Sequence, residues 1–548
     1  TLYAWAKDAA GNVSASLNDS VVITINTNIV YIDPTYSGTE DGTIERPYNA
    51  WTDITFQNNM TYLQKKGTTY VSSTQIFVNG KSNITIDTYG TGARPLFSYT
   101  GGGYAVRIES SNNVTFRGFE VNGNGGAYSL VGVNGTSGSY TQNITIDDCE
   151  LYNAHNTNNA GFGIHGGYND GLKILNTEIH NVALDGIYVR YEPNIEIGYS
   201  HVYDINRRYF INTTESISSG DAIQLDGYWD GFHIHHTTFD RTNGAGNKYS
   251  LIISSAYGVS ENATGILEYN TFINDATVSS AIHIEKGNGI ITRYNTFQGI
   301  TQGIRLAGAG TSNNLIHNNI FYNNTSGIGV GYVYSGDVSP IGPTVGTKIY
   351  NNVFYHDSNY HIWLDKTNVE ARNNIHLRNG DSGIALFNYG GGSWPLTNNL
   401  YGDVATAGTP GTGSNAVIGN PLFVNAGAYD FHLQSGSPAI NFGVNVNIDE
   451  DIDGVSIPQN GTPDIGAYEY SGVLGVSTYH FTKKLELGSK GNEVKELQKI
   501  LIGKGYLEGL PDGIFGNNTF KALKDYQKAN YLEADGVVGL KTREVLNR

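Results

Sequence analysis

Two carboxylates stand at matching places in two similar short segments. Asp226 closes AIQLD and Glu285 closes AIHIE. Each segment alternates aliphatic and polar residues, a period of two that fits a strand and not a helix. Ile223 and Leu225, like Ile282 and Ile284, then face one side. Gln224 and Asp226, like His283 and Glu285, face the other. Paired carboxylates do general acid–base work: one protonates a leaving oxygen while the other takes a proton from water. With Ser254 on an intervening strand, the two backbones lie roughly 9–10 Å apart. That spacing suits the ~6.5–9.5 Å between carboxyl groups that admits a water in inverting glycoside cleavage. Two solvated carboxylates on a wet strand face give the same pattern, so both readings stand.

The outward positions of the related segments extend this into a groove. They hold Arg107, Glu109, Asn134, His165, Tyr188, Arg190, Arg305, Trp363 and Asp365, with Lys248 on a nearby turn. Flat aromatic faces stack on sugar rings, and charged or amide groups bond hydroxyls. His165, Tyr188, Arg190, Gln224, Lys248, His283, Arg305 and Trp363 are therefore the expected substrate-binding set for a linear polysaccharide. A hydrolase of this kind requires no cofactor. Asp185 and Asp221 precede two of the strands at equivalent places. Stacked carboxylates repel unless a cation intervenes, and Ca2+ prefers such oxygen ligands; splaying into solvent is the alternative. His233, His235 and His236 do not converge on one strand face, and no HExxH pattern supports zinc.

Repeats reveal the elements that position these residues. Asn270, Asn295, Asn319, Asn352, Asn374 and Asn399 each sit in an Asn-x-hydrophobic motif, at separations of 25, 24, 33, 22 and 25. A period of 22–25 with occasional insertion predicts short stacked strands, one set per coil, with Asn amides pairing between coils. The chain has 548 residues, 70 of them Gly and 38 Tyr, and 15% are charged. A solenoid accommodates that length, because it grows by adding repeats rather than by enlarging one core. The one cysteine, Cys149, excludes an intrachain disulfide and is expected to be a buried small hydrophobe in a strand.

Three textures divide the chain. Residues 1–28 (YAWAKDAAGNVSAS, then VVITIN) resemble the end of a bacterial immunoglobulin-like domain. Residues 29–470 close with NPLFVNAGAYDFHLQSGSPAINFG, DIDG and PDIGAYEY, and open with YIDPTYSGTEDGTIERPYNAW. These ends resemble bacterial right-handed parallel β-helix carbohydrate-active proteins of the pectate-lyase-like superfamily. The resemblance implies an all-β solenoid and says little of substrate. After a linker at 471–480, residues 481–548 carry LGSKGNEVKELQKIL and two D-G-x-x-G turns, Asp512–Gly516 and Asp535–Gly539. This segment resembles the three-helix peptidoglycan-binding domain. The resemblance implies a small all-α module that holds peptidoglycan or another wall polymer.

Net charge is −17, with 12 Lys+Arg against 9 Asp+Glu from Phe481 onward and 21 against 41 before it. So acidic a body disfavours nucleic acid. No apolar run of membrane-spanning length occurs. The chain opens at Thr1, and its single Met is Met60; it is expected to be a mature form or a fragment. The expectation is an extracellular, cell-wall-associated monomer that hydrolyses a polysaccharide. Two alternatives stay open: a lyase cleaving uronate polymers by β-elimination, with or without Ca2+, and a non-catalytic glycan-binding adhesin. Neither the triple-Asp pattern of polygalacturonase-like enzymes nor the Asp-Pro-His-Asp of alginate epimerases occurs.

Overall fold

The computed structural model describes residues 28–547 apart from 156–160, 206–219, 228–229, 241–249, 255–263, 276–279, 308–310, 332–343, 365–367, 381–383, 389–393, 404–410, 460, 471–480, 505, 508–512 and 531. The N-terminal remnant, the linker, Lys248 and Asp365 therefore lie outside the described residues.

The body is a right-handed parallel β-helix. Among the described residues, successive coils contribute short strands to each of three long sheets, and a strand inside a sheet pairs with its counterparts one coil before and one coil after. Ile223–Asp226, for example, pairs in parallel with Ile187–Arg190 and with Leu251–Ser254. In the closing segment Phe423–Asn425 and Asp430–Leu433 pair antiparallel.

Aliphatic residues of all three sheets point into one continuous core, including Ile187, Val189, Ile223, Leu225, Ile282, Ile284, Ile304 and Leu306. Phe239, Phe272, Phe297, Phe321 and Phe354 stack through five coils, with centroids 4.5–4.9 Å apart and planes within 11°. Each fully buried ring contributes roughly 1.5–3 kcal/mol. Ring stacking of this kind also fixes the register between coils.

The recurrent asparagines form a buried ladder. Asn319 Oδ1 accepts from the backbone N–H and Nδ2 of Asn295, at 2.9 and 3.0 Å. Asn319 Nδ2 donates to Thr292 O, His317 O and Asn352 Oδ1. The residue before each ladder position is left-handed, with φ of 51–59° at Tyr269, Tyr294, Asn318, Asn351, Asn373 and Asn398. Asn favours that conformation, and four of these six are Asn. In earlier coils the equivalent row reads Cys149, Thr177, Ser200, Thr237. There Thr177, Ser200 and Thr237 return their hydroxyls to the carbonyl two residues back. Cys149 is fully buried just before the strand Glu150–Tyr152 rather than within it.

The last coils are apolar on both faces, as IFY (320–322), VFY (353–355) and IHL (375–377) announce. Ile320, Val353, Ile375 and Leu400 are buried outside the solenoid against Phe431, Leu433 and Ile465 of the closing segment. Asn318, Asn373 and Asn398 tie that segment down by donating to Ala467 O, Val444 O and Phe442 O.

Three helices, Asn492–Gly503, Asn517–Ala529 and Leu540–Leu546, make the C-terminal module with its own core of Phe481, Val494, Leu497, Leu501, Phe515, Leu523, Tyr526 and Val538. Two glutamines bracket its two turns. Gln498 accepts from Gly513 N–H and donates to Ile514 O and Thr519 Oγ1. Gln527 accepts from Gly536 N–H and donates to Val537 O and Thr542 Oγ1. The two networks are copies of one another.

Candidate functional site

The sheet that runs from Ile76–Asn79 to Ile384–Asn388 carries the polar face. Its register fixes one row, with Phe77, Arg107, Gly132, His165, Tyr188 and Gln224, then His283, Arg305, Gly329, Trp363 and Phe387 on the outward side and Ile252 at the register position between Gln224 and His283. Two residues further along each strand, a second row reads Glu109, Asn134, Gly167, Arg190, Asp226, Ser254. Glu285 follows Ile284, whose partner is Ile253, and so continues that row after Ser254. Asp226 and Glu285 thus lie two rungs apart, with Ser254 between them.

Being outward does not make these residues wet. Asp226 is 1% exposed, His283 0% and Arg305 3%, and Tyr188 is also buried. Glu285, Gln224, Arg190, His165 and Trp363 keep partial exposure. Burial pushes the Asp226 carboxyl above its usual range, against the hydrogen bonds from Gln224 and Tyr188. Glu285 adds a repulsion in the same upward direction. Both bonds fall on one oxygen: Tyr188 Oη donates to Asp226 Oδ2 at 3.0 Å, and Gln224 Nε2 donates to it at 3.1 Å. Asp226 Oδ1 meets no partner among the described residues. The carboxyl is therefore held by one oxygen, which leaves Oδ1 as the oxygen that can carry a proton. Glu285 Oε1 lies 3.3 Å from His283 Nε2.

Around this pair, Arg190 Nε donates to Tyr188 Oη, and its guanidinium sits 4.9 Å from the Tyr188 ring centroid. Burial, chiefly, and the Asp226 charge push the Tyr188 phenol well up. His165 lies in an aromatic cage that the sequence did not reveal. Its Nδ1 and Nε2 stand 3.3 Å from the hydroxyls of Tyr104 and Tyr128, and the Phe162 and Tyr188 rings lie 4.9 and 5.5 Å from it. Burial, helped by Arg190, pulls its pKa down to about 4, so it is a neutral hydrogen-bonding group. Trp363 lies further along. Gln302, its amide oxygen turned to the indole, accepts from Trp363 Nε1 at 2.9 Å and from Gly329 N–H at 3.3 Å. Tyr104, Tyr128, Phe162 and Gln302 precede or open the alternating segments; only the register shows that they join the site.

Asp185 and Asp221 occupy adjacent coils and are both buried. Asp185 Oδ1 accepts the backbone N–H of Asp221 at 2.7 Å, so one oxygen serves the turn itself. No third His, Cys, Asp or Glu joins them as a metal cluster among the described residues. His236 departs from the strand alternation expected of it. At φ 48° it turns toward its neighbour, and its Nδ1 comes 3.0 Å from His235 Nδ1. Its ring stacks between Tyr199 and Tyr269. His233 pairs with Glu268 at 2.9 Å, which Arg293 shares at 2.7 Å. These bonds outweigh burial and bring the Glu268 carboxyl down to about 2.

Comparison with known proteins gives two results. Residues 490–546 match the family model of the peptidoglycan binding domain, so the terminal module is one. The chain is also similar to a spore cortex-lytic enzyme of Bacillus cereus, 39% identical over 62 residues, which are 11% of this chain and 24% of that protein. The chain spans about a quarter of the length of the curated relatives it matches. Among solved structures, the body is similar to the A-module of a mannuronan C-5 epimerase of Azotobacter vinelandii, with a TM-score of 0.45, 14% identity, and 66% of this chain and 91% of that one covered. It is also similar to an alginate lyase bound to a trisaccharide, with a TM-score of 0.48, 12% identity, and coverage of 69% and 86%. Likeness at that level says nothing of substrate. Among the described residues no helix is long and apolar enough to cross a membrane.

Proposed function

We propose that this chain is a wall-associated enzyme that hydrolyses a polysaccharide, with Asp226 as general acid and Glu285 as general base. The observation that carries the reading is the state of Asp226. It is buried, burial pushes its carboxyl above the usual range, and two donors on Oδ2 leave Oδ1 as the oxygen that can present a proton. In the reaction Asp226 gives that proton to the glycosidic oxygen as the C–O bond breaks. Glu285 takes a proton from the water that attacks the sugar carbon, and the two-rung spacing admits that water. Tyr188, Gln224, Arg190 and His165 orient sugar hydroxyls, and the terminal module holds the enzyme on peptidoglycan or a related wall polymer. Wall attachment raises the local concentration of a wall-borne substrate. β-Elimination needs a base. Burial and the Asp226 charge raise the Tyr188 phenol, which disfavours Tyr188 in that role.

The test is a panel of pectate, alginate, xylan and peptidoglycan sacculi, followed for reducing ends and for absorbance near 235 nm, with and without EDTA. Reducing ends without absorbance are expected, and EDTA is expected to have no effect. Asp226→Asn and Glu285→Gln should each lower kcat by at least about a hundredfold. Absorbance rising with reducing ends would mean a lyase, and loss in EDTA would direct attention to Asp185 and Asp221. Retention without any product would mean a binding protein.

A further inference from the structure

We infer that the site holds a glycan of about seven units and cuts it near the middle, so that the enzyme is endo-acting. The inference rests on the hydrolytic reading above. The outward row contains two glycines, Gly132 and Gly329, and each lies under an aromatic ring from an adjacent coil. A Cβ on Gly132 would stand 2.4 Å from the Tyr104 ring, and one on Gly329 would stand 2.3 Å from the Trp363 indole. Missing side chains at these two places let the rings lie back over the strands.

Both rings are fixed in position. Tyr104 Oη reaches His165 Nδ1, and the Arg107 guanidinium lies 5.3 Å from the Tyr104 ring centroid. Trp363 is tied by Gln302, which also accepts from Gly329 N–H. The carboxylate pair and the partly exposed His165, Arg190 and Gln224 lie between the two rings.

The interval between the rings sets a length. From Gly132 the row steps through His165, Tyr188, Gln224, Ile252, His283 and Arg305 to Gly329. Seven rungs at roughly 4.8 Å make about 34 Å. An extended pyranose chain lying along the solenoid axis advances by about one rung per sugar. Asp226 stands at the third rung and Glu285 at the fifth. The bond between them is then four rungs from the Tyr104 ring and three from the Trp363 ring. An exo-acting site would place its carboxylates against one end, and this one places them centrally.

The experiment uses the full chain and oligosaccharides of two to eight units prepared from xylan, pectate and alginate, with the size of the first products and kcat/KM measured for each length. For the polymer that is cut, kcat/KM should climb to about seven units and then level. An octamer should first give trimers to pentamers. Trp363→Ala should lower kcat/KM about tenfold on the heptamer and leave the tetramer within about twofold, since stacking reaches only the distant sugars. Gly329→Val, which displaces the indole, should reproduce that pattern, and Trp363→Phe should largely restore it. Release of mono- or disaccharide from chain ends at the outset, with rates flat beyond the trimer, overturns the inference. Equal loss at every length in Trp363→Ala overturns it as well. Either result leaves the hydrolytic reading standing if Asp226→Asn still abolishes cleavage. Absence of cleavage of every probe sinks both.

Discussion

The solenoid and the terminal module hold their turns with the same chemical group used in two ways. In the solenoid a buried amide is a link: Asn319 serves Asn295 on one side and Asn352 on the other. In the module a buried amide is a clasp: Gln527 closes on Gly536, Val537 and Thr542. A link passes its loss to the adjoining coils, whereas a clasp fails alone. The difference follows from architecture. Stacked coils share every interface with a neighbour, so side-chain bonding can run the length of the stack. Three packed helices have nothing to pass a bond to, so each turn must be satisfied locally.

The largest effect should come from breaking the ladder in its middle. Asn319→Ala strips the acceptor from two Asn295 donors and the donor from Thr292 O and His317 O. Leaving such groups buried and unpaired should cost about 3–5 kcal/mol. Thermal unfolding should show the β-helix transition falling sharply while the module's transition stays in place. Hydrogen exchange should quicken in the coils of Asn295 and Asn352 as well as in that of Asn319. Exchange confined to the coil of Asn319 would refute the linking role.

Gln527→Ala should come next, at about 2–4 kcal/mol, because Gly536 N–H and Val537 O lose their partner in one turn. Here the loss should be confined to the module. Retention on peptidoglycan sacculi should fall, while hydrolysis of a soluble polysaccharide should be unchanged. A drop in the β-helix transition would show that the module and the body unfold as one unit.

How much of this was legible in the sequence depends on what each feature needs. The ladder asparagines recur at the coil period, so both their identity and their pairing could be read. So could the in–out alternation around Asp226 and Glu285 and the two D-G-x-x-G turns. Gln527 carried no such mark, because its equivalence to Gln498 shows only when both amides are seen on their turns. The cage around His165 was hidden for another reason. Tyr104, Tyr128 and Phe162 come from three coils of unequal length, and insertions between coils erase any fixed spacing. Burial of Asp226, His283 and Arg305 was also unreadable, since alternation tells inward from outward and not covered from wet. His236 shows where alternation itself breaks: one left-handed residue at a strand end redirects its side chain.

The asparagine ladder satisfies its amides, whereas the site leaves Asp226 Oδ1 buried without a partner among the described residues. Sites commonly carry such a cost for function. Asp226→Asn should therefore abolish hydrolysis and raise stability slightly, by up to about 1 kcal/mol. The sign with pH follows from the raised pKa. The folded state binds the proton more tightly than the unfolded one, so stability from this group is present at low pH and declines as pH rises from about 4 through the folded pKa. The Asn variant should lose that slope. A variant that is less stable than the parent at neutral pH would contradict the idea that the site is strained by a buried carboxyl with one unpartnered oxygen.

The smallest effect should come from a third kind of turn lock, ionic rather than amide, in the closing segment. His432 Nδ1 lies 2.5 Å from Asp430 Oδ1, and its Nε2 lies 2.6 Å from Asp453 Oδ2. Burial lowers its pKa, but the two carboxylates outweigh that and raise it to about 10. The Tyr468 ring packs on it with centroids 4.1 Å apart. A raised folded pKa means that the clamp contributes fully below the unfolded value of about 6.5 and fades as pH climbs through about 10. His432 is 39% exposed, so solvent screening keeps the contribution modest. Between pH 6 and 10 the β-helix transition of the parent should decline more steeply than that of His432→Gln. The amide ladder has no titrating group and should not contribute to that slope. Parallel pH profiles for the two proteins would remove the ionic lock from the comparison and leave the fold-back held by the Asn318, Asn373 and Asn398 amides and by the apolar packing beneath them.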